Sequence, residues 1–172
     1  MPNQQFYSDR PRNEVKRIVP ISNHVTAFER TLHKSHLWIK EIHQELDWMS
    51  ADSVYHLLRA VLHTIRDQLN TDEVAHFASQ LPLLLRGTFY ECWDPQDVNP
   101  RGMSKYEFMD SVRFHIGRVN RPFINSINLE VGVTLTLRVI FNHVSPGEMN
   151  DVIMAARPSL RTYYEHIQHF YD

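Results

Sequence analysis

The sequence has little cysteine, little glycine, almost no net charge and no long apolar run. The single cysteine, Cys92, excludes an internal disulfide and a set of thiolates for structural zinc, and it fits a reducing compartment. The 18 Lys and Arg nearly balance 20 Asp and Glu, which excludes a general electrostatic attraction to nucleic acid or membranes. No apolar run nears the roughly 18 residues of a membrane span, and the N-terminus lacks the core of a signal peptide. We therefore predict a cytoplasmic protein without a membrane span.

The apolar residues that are present recur mainly at helical spacing. Only 5 glycines occur, and the 42% hydrophobic content is ordinary for a soluble globular protein. One long apolar stripe follows Asp52, and its members are Val54, Leu57, Leu58, Val61, Leu62, Ile65 and Leu69. The stretch VGVTLTLRVIF, residues 131–141, also alternates as a strand would, but its place in the repeat described next favours a helix. The predicted fold class is all-α.

A constant shift of 75 positions aligns the first half of the sequence with the second. The matched pairs include Val54 with Leu129, Leu58 with Val133, Leu62 with Leu137, Glu73 with Glu148, and Arg86 with Arg161. Pro82 and Pro158 match after a slip of one position. This agreement indicates an internal duplication. We predict two pseudo-repeated four-helix units packed together as one compact helical domain.

The repeat also predicts where the parts of the chain begin and end. They are an extended N-terminal tail over 1–22, a first repeat over 23–92, a linker over 93–102, and a second repeat with an aromatic tail over 103–172. The predicted helices are Thr26–Leu46, Asp52–Gln68, Thr71–Gln80, Pro82–Glu91, Ser104–Gly117, Asn125–His143, Pro146–Ala156 and Ser159–His169. The linker WDPQDVNPRG concentrates residues that form turns.

Three stretches of the chain resemble a known family. RAVLHTIRDQL, DEVAHFASQLPLLLRGTFYECWDP and HVSPGEMNDV are similar to the bacterial family named domain of unknown function 2267. The resemblance covers about residues 25–165. It implies an all-helical bacterial domain and implies no activity, because no biochemical function is established for that family.

Glu73 and His76 have the spacing by which one helix offers a metal both a carboxylate and an imidazole. A ferritin-like di-iron site needs two such helices, but the repeat of this pair is Glu148 and Asp151, so the imidazole is not duplicated. Asn70 and Glu73 instead have the spacing of a capping box. We predict that Glu73 caps a helix, and His76 stays unassigned.

A second group of histidines lies on the first predicted helix. Glu29, His33 and His36 could supply three zinc ligands from one helix surface, although Lys40, near His36, disfavours a bound cation. The other interpretation is a solvated or interfacial histidine face. We favour no metal site and predict no cofactor.

No catalytic residue is predicted. The chain has no G-x-S-x-G elbow, no phosphate loop and no dinucleotide fingerprint. Cys92 lacks a nearby base in the sequence, and we predict a half-buried structural thiol. The negative charge of Asp67 partly offsets the positive charges of Arg59 and Arg66, which disfavours nucleic-acid binding.

Aromatic residues form the other notable pattern. FYECW, residues 89–93, is echoed by YYEHI, residues 163–167. These side chains either fill the seam between the repeats or form an interface for a partner. The candidate partner-binding residues are Phe89, Tyr90, Trp93, Tyr163, Tyr164, Phe170 and Tyr171. We predict a non-catalytic helical interaction or scaffold protein that binds itself or another protein; a metal- or small-ligand-binding bundle with histidine faces is the alternative.

Overall fold

A computed structural model describes residues 25–96, 101–117 and 129–168 of the chain. Within these ranges the protein contains eight α-helices and no β-strand, which confirms the all-α prediction. The helices are α1 (Thr26–Glu45), α2 (Ala51–Gln68), α3 (Thr71–Gln80), α4 (Leu83–Tyr90), α5 (Lys105–Gly117), α6 (Leu129–His143), α7 (Pro146–Ala155) and α8 (Pro158–Gln168).

The observed helices agree with the predicted ones to within one position at most ends. The ambiguous stretch 131–141 lies inside α6 and is helical. The predicted start of that helix at Asn125 lies outside the described residues, as do the tail over 1–22, positions 97–100 of the linker, and the aromatic residues Phe170 and Tyr171. In the described part of the linker, the Gln96 amide donates to the Asp94 carboxylate at 2.9 Å, which is the predicted turn.

Polar side chains cap several helix starts. At α3 the Glu73 amide donates to the Asn70 side chain at 3.0 Å, and the Asn70 amide donates to the Glu73 carboxylate at 2.9 Å. This capping box confirms the predicted role of Glu73. Ser104 and Glu107 make the same reciprocal pair of hydrogen bonds at α5, at 3.3 and 2.7 Å, which the sequence analysis missed.

Cys92 corrects a prediction made from the sequence. Its side chain is exposed, whereas a half-buried thiol was predicted. Cys92 follows the end of α4 and has φ of 54°, the left-handed conformation that often terminates a helix. The Trp93 amide then donates to the Tyr90 carbonyl at 3.2 Å.

Helix α2 lies at the centre of the fold. It contacts α1, α4, α5 and α6, and its residues are buried on all sides from Leu57 to Ile65 apart from Arg59. Helix α8 packs against α5, α6 and α7, and α3 packs against α7. The buried apolar residues of all eight helices form one contiguous core, which extends from Trp38 to Ile167.

The α3–α4 and α7–α8 turns share two arginine hydrogen bonds. Arg86 donates from Nη2 to the carbonyls of Ser79 and Leu81, at 3.0 and 3.3 Å. Arg161 donates from Nη2 to the carbonyls of Met154 and Ala156, at 3.1 and 3.2 Å. The shift that carries Val54 to Leu129 in the sequence also relates these two Nη2 donors and their four acceptors. A third bond of Arg86, from Nε to the Ala78 carbonyl at 2.8 Å, has no counterpart, because Nε of Arg161 is buried without a partner.

The segment before α5 lies against the α7–α8 turn. The Arg157 amide donates to the Met103 carbonyl at 3.0 Å, and the Met103 side chain is buried. Gly102 has φ of +63°, and a Cβ at this position would overlap the Ala155 carbonyl oxygen. Only glycine fits this close approach.

Replacing Gly102 should therefore destabilise the protein. We expect Gly102→Ala to lower the free energy of unfolding by about 2 kcal/mol or more, because the new methyl group meets a backbone oxygen and the left-handed φ is strained. Urea unfolding measures the change. The matched control is Gly87→Ala in α4, where a Cβ would have no atom within 4 Å; we expect this change to be neutral or to stabilise the helix by up to about 1 kcal/mol. Equal stability of the two variants would contradict this account.

Candidate functional site

A groove runs between the N-terminal half of α1 and the turn that joins α3 to α4. The end of α6 contributes His143 to its wall. We call this open groove the α1–α4 groove; its volume is about 600 Å³. Its apolar lining consists of Ala27, Leu37, Trp38, Leu81, Pro82 and Leu83.

The charged side chains around the groove are basic. Arg30 and Lys34 on α1 are exposed and line the groove, and they make no ion pair with any residue in the described ranges. Arg86 also lines it, with its guanidinium held by the carbonyls of the α3–α4 turn, including that of Ala78 at 2.8 Å. Among the described residues that line the groove, none is acidic. The charged residues that line the groove are therefore cations, in a chain of net charge −2.

His143 closes one side of the groove in a fixed position. Its ring stacks on Trp38 with 4.7 Å between the ring centroids. Its Nε2 lies 2.7 Å from a carboxylate oxygen of Glu41 and donates to it. The pair joins α6 to α1 and holds the wall in place.

Large apolar side chains are exposed around the groove. Phe28 is 67% exposed and Leu83 is 58% exposed, which are high values for residues of this size. Also exposed are Val25, just before α1, and Leu32, Leu37 and Leu84 in α1 and α4. The Leu84 amide donates to the Thr31 hydroxyl at 3.3 Å, which joins the start of α4 to α1. Leu37 and Leu83 also line the groove, so these exposed residues are a candidate contact surface.

One sequence pattern predicts exposed apolar side chains here, and the sequence analysis did not use it. Leu83, Leu84 and Leu85 are consecutive on a helix, where successive side chains point about 100° apart, so one face of the core cannot bury all three. Leu85 is buried, and the other two are exposed.

The predicted partner-binding aromatic residues lie mostly against the core. Phe89 and Tyr164 are fully buried, and the Tyr164 hydroxyl accepts a hydrogen bond from the Gln68 amide at 3.0 Å. Tyr90, Trp93 and Tyr163 are half-buried and pack on the core. Phe170 and Tyr171 lie outside the described residues.

The metal-binding candidates are not gathered into one site. Glu73 belongs to the capping box of α3, and His76 is exposed on the same helix. Glu29, His33 and His36 are exposed on α1. In the described part of the chain, no three His, Cys, Asp or Glu side chains are placed to hold a metal ion together.

A polar cluster that the sequence analysis missed lies between α2, α5 and the end of α4. Arg66 donates from Nη1 to the carbonyls of Phe89 and Glu91, at 2.8 and 3.0 Å, and from Nε to Asp67 at 2.9 Å. His115 on α5 donates from Nε2 to the second oxygen of Asp67, also at 2.9 Å. The cluster therefore links three helices through one carboxylate and one guanidinium.

His63 lies beside this cluster and is almost completely buried. Its ring packs edge-on against His115 with 5.2 Å between centroids, and its Nε2 donates to the Thr88 carbonyl at 2.7 Å. Burial lowers the pKa of His63 to about 4, and the charges of Arg66 and Arg59 add to this effect. Burial opposes ionisation of Asp67 as well, but the hydrogen bond from His115 and the charge of Arg66 hold the pKa of Asp67 below its ordinary value. The buried His63 is closed to solvent, so this cluster stabilises the fold.

Comparison with protein families identifies the chain. Residues 35–161, about three quarters of its length, match the family described as uncharacterized conserved protein, DUF2267. The chain belongs to the DUF2267 family. This membership confirms the resemblance seen in the sequence, and the family is uncharacterised. Comparison with curated proteins finds none that is similar. Within the described ranges of this DUF2267 chain, no helix has the length and apolarity needed to cross a membrane.

The buried His63 should make the stability depend on pH. Its pKa is about 4 in the folded chain and 6.5 in the unfolded chain, so only the unfolded chain takes up a proton between these values. The free energy of unfolding therefore decreases by up to about 3 kcal/mol as the pH falls from about 6.5 to about 4. Urea unfolding across this range measures the loss.

The matched variants are His63→Gln and His76→Gln. Glutamine at position 63 keeps a donor for the Thr88 carbonyl but does not titrate. We therefore expect the free energy of unfolding of His63→Gln to depend less on pH, whatever the stability of this variant at neutral pH. The change at the exposed His76 should leave the dependence as it is in the unmodified protein. An unchanged slope in His63→Gln would contradict this account.

The capping box predicts a separate effect on stability. We expect Asn70→Ala to lower the free energy of unfolding by about 1 kcal/mol, because the first turn of α3 loses its side-chain acceptor. Thermal unfolding checks this. His76→Ala on the exposed side of α3 is the control, with an expected change within about 0.5 kcal/mol. A larger loss in the control would mean that His76 has a structural role.

Proposed function

We propose that this protein is a non-catalytic helical interaction protein that binds an acidic, apolar-rich segment of another protein in the α1–α4 groove. One observation carries the proposal. The exposed Leu37 of α1 and Leu83 of α4 line a groove whose charged lining side chains are basic or histidine. Apolar anchors supply affinity at protein interfaces, and complementary charge supplies orientation and selectivity.

The chemistry of the groove favours a protein partner. Nucleic acid would bind a broader field of Lys and Arg and would leave Phe28, Leu83 and Leu84 without apolar contacts. A protein segment with leucine, methionine or aromatic side chains would cover these residues, and its carboxylates would pair with Arg30 and Lys34. A cytoplasmic location remains a prediction from the sequence.

We also propose that the fold consists of two duplicated four-helix units. Two observations support this. The Nη2 atoms of Arg86 and Arg161 make matching hydrogen bonds at equivalent positions of the two halves. Helix α2 packs on α5 and α6 packs on α1, which are exchanged contacts of the kind that a pseudo-twofold axis produces.

The other candidates from the sequence have less support. Tyr90, Trp93 and Tyr163 remain a second candidate contact surface, because each is half-buried and could be reached at its edge. The metal-binding alternative has no supporting cluster in the described residues. Stoichiometric iron or zinc in the purified protein, lost in Glu73→Gln or His36→Ala, would favour that alternative instead.

Capture of partners from the native host tests the proposed function. The immobilised chain is compared with two groove variants, Leu83→Glu and Lys34→Glu, and two controls, Val131→Glu and Arg113→Glu, at exposed positions of α6 and α5. We expect a specific protein to be retained by the unmodified chain and the controls, and to fall at least about tenfold in both groove variants.

Two results would overturn the proposal. One is equal capture by the groove variants and the controls. The other is a concentration-dependent dimer of the chain alone that Leu83→Glu dissociates, measured by sedimentation velocity; this result would mean that a second copy occupies the groove.

A further inference from the structure

We propose that the α1–α4 groove binds its partner as an extended segment that buries one long apolar side chain against residues 79–83 and places a carboxylate beside Arg30 and Lys34. This inference rests on the proposed function and deepens it, because it states the conformation and the chemistry of the bound segment. The structure of the second half of the chain carries it.

The α7–α8 turn is the structural counterpart of the α3–α4 turn. Besides the matching arginines, the Leu81 amide donates to the Ala78 carbonyl at 3.1 Å, and the Ala156 amide donates to the Ile153 carbonyl at 3.2 Å. Both pairs are related by the same shift that relates Arg86 to Arg161. The two turns therefore present similar backbone surfaces.

In the second half, this surface is covered by a non-helical segment of the same chain. Residues 102–104 lie against the α7–α8 turn, with the Met103 side chain buried and the Met103 carbonyl bonded to the Arg157 amide at 3.0 Å. Gly102 allows the backbone to approach the Ala155 carbonyl. Glu107, on the following turn of helix, forms an ion pair with Arg157. The covering segment thus contains a small residue, a long apolar residue and a nearby carboxylate.

In the first half, no such segment among the described residues covers the equivalent surface. By the same shift that pairs Leu84 with Ser159, Lys105, the first residue of α5, corresponds to Arg30. Helix α5 begins at this position, whereas α1 begins earlier, at Thr26. The first turn of α1 therefore stands where residues 102–104 stand in the second half. The groove lies between this turn of α1 and the α3–α4 turn.

Three differences between the halves define what the open groove would accept. Pro82 stands where Arg157 stands, so the groove lacks that backbone donor; the exposed Gln80 side chain also lines the groove. Arg30 and Lys34 add two cations on the α1 side. The exposed Leu83 extends the apolar lining. A segment that carries methionine or leucine with acidic neighbours matches this surface.

Synthetic peptides test the mode of binding. The probe is a linear peptide, acetylated and amidated, with the sequence DDGMSEE. Its first competitor, DDGSSEE, removes the apolar side chain, and its second is a peptide of the same charge that contains methionine and is locked as a helix by a lactam bridge. Binding is measured as shifts of backbone amide signals in NMR spectra of the full chain.

We expect DDGMSEE to shift the signals of residues 27–38 and 79–86 and to bind at least about tenfold more tightly than either competitor. Binding should fall by a similar factor in Leu83→Glu and Lys34→Glu and should be unchanged in Val131→Glu. No binding up to millimolar peptide, shifts elsewhere on the chain, or tighter binding of the helical peptide would overturn the inference.

The two proposals fail in different ways. A host protein that is lost from the groove variants, together with no binding of the linear peptide, would reject the extended mode and retain the proposed function. A host protein that is captured equally by the groove variants and the controls would reject the proposed function itself.

Discussion

Helix α2 is surrounded by four other helices, so its buried polar groups must find partners inside the protein. Arg66 meets this requirement by donating to the Phe89 and Glu91 carbonyls, which belong to the unsatisfied end of α4, and to Asp67. Asp67 in turn accepts from His115 on α5. One guanidinium therefore fixes how α4 and α5 sit on the central helix, and leaving it unpaired would be costly.

The groove depends on this arrangement, because α4 is held at both ends. Arg66 holds its C-terminal end, and Arg86 holds the turn before its first residue by bonding to three carbonyls. A wall fixed in this way loses little conformational freedom when a ligand binds, which favours affinity. The opposite wall is α1, whose N-terminal half extends beyond the core and keeps Phe28 exposed. The candidate contact surface thus arises where one helix is longer than the core needs.

The helices and their caps could be predicted because they depend on local chemistry. The apolar stripe of α2, the capping box at Asn70 and Glu73, and the proline at the start of α7 are all short-range patterns. The candidate site could be predicted only in its composition. Helical spacing shows which side chains share a face, but it does not show whether another helix covers that face. Phe89 and Tyr164 were therefore candidates for a surface although they are buried, and Leu84 was not considered although it is exposed.

By itself, the sequence determined an all-helical chain, most helix boundaries, the helix-capping role of Glu73 and the DUF2267 family. The tertiary structure alone decided that Asp67 meets His115, that Gly102 lies against Ala155, and that a basic groove opens beside the α3–α4 turn. The physical reason is the range of the interactions. Caps and periodicity act within a few residues of the chain, whereas burial, buried ion pairs and grooves depend on segments that are far apart in sequence and meet only when the helices pack.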